Sequence, residues 1–132
     1  MFLLIYKKVV EIILAADLGF TEVKMYKGEL EEGADYRDTF PICYVDFVGD
    51  TANELLAGDM YADGLSELEI YIADKDYDEP KILDLCTSII DLFDGTDIEV
   101  TGGNYTARYL KTDLHAYIPG KGKAYKILIG IH

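Results

Sequence analysis

The chain has 132 residues, 50% of them hydrophobic, which suits one ordinary domain with enough apolar surface to bury a core. Twelve basic residues against 25 acidic ones leave a formal charge of −13. That balance argues against phosphate-backbone binding, which depends on Lys and Arg displacing counterions.

The acids are concentrated. Residues 29–99 hold 21 acids and three bases, residues 1–28 three acids and four bases, and residues 100–132 one acid and five bases. An acidic middle between mildly basic ends serves solubility first. It also suits a surface that repels polyanions or meets a basic partner. Cys43 and Cys86 both fall in apolar patterns, which predicts buried, reduced thiols and points weakly to an intracellular origin.

In chain order, Phe2, Ile5, Val9, Ile12, Ile13 and Ala16 fall on one helical stripe, and Leu3, Leu4, Tyr6, Val10 and Leu14 widen the apolar surface beyond it. Lys7, Lys8 and Glu11 interrupt the run, which is too short to span a bilayer. The charges follow the first apolar run, where a secretion signal would place them before it. The segment predicts a helix over 2–16 ended by Gly19, with no membrane association. It is greasy on more than one side, so either the domain or another subunit must cover it.

Thr21 to Lys27 predicts a short strand with Val23 and Met25 inward, and Gly28 to Asp38 an acidic loop. Pro41 to Val48 predicts a central strand with Cys43, Val45 and Phe47 on one face and Ile42, Tyr44, Asp46 and Val48 on the other. Residues 49–64, punctuated by glycines, read as a long connection. Leu65 to Gly95 is the most regular stretch. Leu68, Ile70 and Ile72 alternate with Glu67, Glu69 and Tyr71 as in a half-buried strand. After Pro80, Ile82, Leu85, Cys86, Ile89, Ile90 and Phe93 recur at helical spacing, with Asp78 or Glu79 as cap and Gly95 as the left-handed stop. Thr101 to Asn104 makes a turn. Tyr105 to Ile118 and Lys123 to Ile131 then form a hairpin around Pro119 to Gly122, with Leu110, Thr112, Leu114, Ala116 and Ile118 on one side of the first strand. The order is α-β-β-β-α-β-β. It defines a single α+β domain over 1–132, with a mostly antiparallel sheet of about five strands and two main helices packed on it.

Candidate chemistry is sparse. Asp74, Asp76 and Asp78 alternate as in a calcium loop, but the sixth and twelfth positions are Glu79 and Leu85 where Gly and Glu are required. An acidic turn favouring a helix N-terminus explains them more simply. Asp46, Glu67 and Glu69 could share neighbouring strands as a nuclease's metal ligands do. No lysine follows them at short spacing, and solvent-face acids are the simpler reading. Gly102-Gly103 opens no helix and is a poor phosphate cradle. His115 and His132 have no partners in a zinc-ligand spacing, and Ser66 and Ser88 sit in no nucleophile elbow. The sequence thus predicts no enzyme, no cofactor, no metal and no catalytic residue. Tyrosines are many, and Tyr6, Tyr26, Tyr44, Tyr71, Tyr105, Tyr109, Tyr117 and Tyr125 fall on helix or strand positions. They suit either half-exposed packing or a subunit interface.

The layout of an N-terminal helix, a Pro-led apolar strand (PICYVDFVG), a variable loop, a strand (LEIYIAD), an acidic turn, a helix and a final hairpin resembles the small tail-terminator and tail-completion proteins of tailed bacteriophages. The likeness is one of pattern over most of residues 1–131. The resemblance implies a structural protein of the head–tail joint, self-associating into a ring, commonly a hexamer, against tail-tube or connector proteins. DNA would pass without specific binding, and the protein would reside in the virion after assembly in the host bacterial cytoplasm. The long 49–64 connection and the acidic middle depart from the pattern and leave terminator and connector roles both open. The alternative is an acidic adaptor or inhibitor, a DNA mimic that binds a basic partner.

Overall fold

The computed structural model describes residues 2–31, 33–34, 36–48, 66–75, 79–118 and 121–132. Helices α1 (Phe2–Ala15) and α2 (Glu79–Phe93) accompany strands β1 (Glu22–Met25), β2 (Ile42–Val48), β3 (Ser66–Asp74), β4 (Asp97–Val100), β5 (Gly103–Ile118) and β6 (Gly122–Ile131). The six strands form one sheet in the order β1-β2-β3-β6-β5-β4. Only β1 and β2 run parallel; the other neighbours are antiparallel. This is the expected α+β class with one more strand than expected. The expected connection over 49–64, and the turn residues Pro119 and Gly120, lie outside the described residues.

The centre of the sheet follows from period-two patterning. Leu68, Ile70 and Ile72 of β3 lie between Cys43 and Val45 of β2 and Ile127, Ile129 and Ile131 of β6, and all are buried on the face that meets the helices. Helix α2 lays Ile82, Leu85, Cys86, Ile89 and Phe93 on that face, as its spacing predicts. Each such side chain contributes about 1.5–3 kcal/mol on burial. Gly95 takes the left-handed conformation at φ 80° and ends the helix as expected, and its N–H donates to Ala107 O at 2.9 Å.

Helix α1 buries Ile5, Val9 and Ile13. It stops at Ala15, earlier than expected, because Asp17 rather than Gly19 first turns left-handed, at φ 51°. It packs on β1, β2 and β4, strands from both edges of the sheet, while α2 covers β3, β6 and β5. One helix reaching both edges means that the sheet curls around the helical layer.

Three expectations fail locally. Strand β4 is unexpected: four residues with Ile98 alone buried are too few to display an alternation. Met25 is exposed, since β1 is an edge strand on which only Val23 turns towards the core. In β5 the single alternation breaks at bulges between Tyr109 and Lys111 and between Leu114 and Ala116. Leu110 and Leu114 are therefore exposed, while Ala107 and Tyr109 face the core.

A second apolar layer lies on the opposite face. Ile42, Tyr44, Tyr71, Ala73 and Ala124 are covered there by Leu30 and Tyr36, with Tyr26 and Phe40 packed alongside. The acidic loop thus has a structural job as a strap across the back of the sheet.

Candidate functional site

The strap's contacts build the most structured polar region among the described residues. Lys24 on β1 donates to Asp38 at 2.9 Å, and the Tyr44 hydroxyl donates to the other carboxylate oxygen at 2.5 Å. Burial alone would raise the Asp38 carboxyl; the donors Tyr44 and Lys24 outweigh it and hold the group below its ordinary value. Lys24 is shifted up, chiefly by that hydrogen bond. Nearer β5, Glu31 accepts from the Tyr26 hydroxyl and lies 3.2 Å from His115 Nε2. These two hydrogen bonds lower the Glu31 carboxyl.

Rings tie the region together. Tyr26 stacks on Tyr71 at 4.3 Å between centroids and meets Tyr44 edge-on at 5.6 Å, and His115 meets Tyr71 edge-on at 4.8 Å. Burial pushes the phenols of Tyr44, Tyr71 and Tyr26 well up, and that of Tyr36 to about 12. Lys121 donates to the Tyr36 carbonyl and lies over its ring.

Between the strap and the end of β5 runs a groove of about 500 Å³. Leu30, Tyr36 and Ile118 form its apolar lining, with Glu29, Glu31 and His115 among its polar groups. On the helical side, a shallower cleft of about 440 Å³ separates Leu4, Lys7, Lys8 and Glu11 of α1 from Glu99, Val100 and Thr101. Leu3, Leu4 and Leu14 point outward from α1 at 56%, 40% and 59% exposure.

Asp74 is 1% exposed; one carboxylate oxygen accepts from Lys75 N at 2.8 Å and the other lies 3.8 Å from Lys81 Nζ. Asp76 and Asp78 lie outside the described residues. Among the described residues, no group of three or more His, Cys, Asp or Glu side chains is arranged to hold a metal. Asp46 and Glu69 are register partners on the outer face of the sheet, with Glu67 two residues along. Lys126 meets Glu69 at 3.0 Å. That lysine comes from β6, so the acids' surroundings are more basic than the order of residues indicates. The chain pairs His115 with a carboxylate 84 positions away, a contact that no local spacing announces. Gly102 is left-handed at φ 90° in the β4–β5 turn, Gly103 begins β5, and Ser88 is half-buried on α2.

The tyrosines divide. Tyr44 and Tyr71 are buried within the molecule under the strap, whereas Tyr117 is 65% exposed. The outer-face tyrosines therefore serve packing first, a role their position on strands opposite the main core left open. Cys43 and Cys86 are buried free thiols; burial pushes Cys86 to about 12 and Cys43 further up. Among the described residues no helix is long and apolar enough to cross a membrane.

Comparison with known family models, with curated proteins and with solved structures finds no match in any of the three.

Proposed function

We propose that the protein is a structural subunit of the head–tail joint of a tailed bacteriophage, a ring-forming tail terminator or tail-completion protein. The reading is non-enzymatic and needs no cofactor. Its partners are further copies of itself and the tail-tube or connector proteins above and below the ring. Assembly in the bacterial cytoplasm and residence in the virion follow from that role.

The observation that carries the reading is the outward set of leucines on α1, 40–59% exposed on a helix whose other face is already buried. Closed rings bury such surface by repeating one heterologous contact. The carboxylates of Asp46, Glu67 and Glu69 on the outer sheet face, with Lys126 offsetting Glu69, add a second support. An acidic lumen lets DNA pass without adhering, because no counterions are released on contact.

Electron microscopy of concentrated protein tests the reading. Annular particles with an open centre, commonly six-fold, are the expected result. Compact monomers at every concentration would sink it. The same carboxylates favour a second reading, an acidic adaptor or inhibitor. That reading predicts a one-to-one complex with a basic protein and no annular particles.

A further inference from the structure

The first two turns of α1 and the groove beside the strap match in two respects. Leu3 and Leu4 present exposed apolar side chains, with Lys7 and Lys8 beside them on the same helix. The groove offers apolar Leu30, Tyr36 and Ile118 together with the carboxylates of Glu31 and of Glu29, the latter 3.7 Å from Lys24 and 21% exposed. Glu31 keeps 57% of its side chain exposed despite its contact with His115, so its charge still faces solvent.

The two surfaces lie on opposite sides of the sheet. Helix α1 belongs to the cluster on the helical face, and Leu30, Tyr36 and Ile118 to the cluster on the other. A molecule cannot bring its own patches together, but a neighbouring copy can.

We infer that the N-terminal half of α1 docks in the groove of a second copy, with Lys7 and Lys8 against Glu29 and Glu31. The inference rests on the ring-forming reading and names the contact that repeats around the ring. The contact is heterologous, since two different patches meet, and such contacts generate rings when the rotation closes. Apolar burial supplies the attraction, and the charges set orientation and reject mismatched approach.

Charge reversal tests the contact, because net charge and local complementarity predict opposite outcomes. K7E/K8E makes the chain more acidic and E29K/E31K makes it less so. If net repulsion alone controlled association, the first pair would weaken assembly and the second would strengthen it. Local docking predicts that each weakens self-association at least about tenfold in sedimentation at fixed ionic strength, and that an equimolar mixture recovers it as alternating subunits. A34R is the second variant. It plugs the groove from an exposed lining position, and it is expected to abolish assembly while thermal melting is unchanged. Rings that form in A34R as readily as in the parent overturn the docking contact and leave the ring reading standing. A parent chain that never assembles overturns both.

Discussion

Ile89 is fully buried in the main core on the α2 face that meets the sheet, with Phe93, also fully buried, one turn further along. Ile89→Asp would leave an unpaired carboxylate in apolar surroundings, a cost of several kcal/mol against a total stability of roughly 5–15 kcal/mol. Thermal denaturation should show a collapse in melting temperature, and a shift of only a degree or two would refute the packing. Gly122 offers a sharper steric case. A Cβ there would stand 2.1 Å from the Asp74 carbonyl oxygen, a backbone atom that cannot rotate away. Gly122→Ala should therefore cost about 1–3 kcal/mol through displaced backbone, measurable by urea denaturation; an unchanged midpoint would mean that the β3–β6 approach is looser than described. At Asp74 the carboxylate is taken up by the Lys75 N–H and by Lys81, so chelator should leave the melting temperature unchanged. A clear rise in melting temperature with millimolar calcium would contradict it.

At the scale of elements, the strap is the part with the clearest pH signature. The Glu31 and Asp38 carboxyls are held below their ordinary values, so the stability they lend is present above the unfolded-chain value near 4 and fades as pH falls through their folded values. The buried phenols are shifted the other way. Their contribution is complete below about pH 10, the unfolded value, and drains as pH climbs towards the folded values. An ultraviolet titration should show Tyr36, Tyr44 and Tyr71 ionising well above pH 10. A single titration near pH 10 with the fold intact would refute the strap's cover. The strap also marks where the sequence ceases to be legible. The alternation of β3 and the spacing of α2 can be read directly, because each repeats for several periods against one apolar partner. Strand β4 has a single buried residue, and β5 carries two bulges that move Leu110 and Leu114 off the face its alternation assigns them. The strap's packing depends on pairs such as Glu31 with His115, which become neighbours only after the sheet has formed. The groove is therefore a product of topology, and no local pattern announces it.

At the scale of the whole molecule, two tendencies oppose each other. Outward leucines on α1 favour association, and a charge of −13 resists it. Replacing Leu3 and Leu14 together by serine should weaken self-association without lowering the melting temperature, because neither side chain is part of the core. A large loss of stability would instead place them inside the fold. Salt acts on the repulsive side. Raising ionic strength from about 0.01 M to about 0.15 M shortens the screening length from about 30 Å to about 8 Å, while partly buried contacts are screened much less. Native mass spectrometry or light scattering of the unaltered chain, over a series of concentrations and salts, tests ring formation most directly. The expected result is a discrete closed oligomer whose population rises with concentration and with salt. A chain that remains monomeric across the whole series would contradict it.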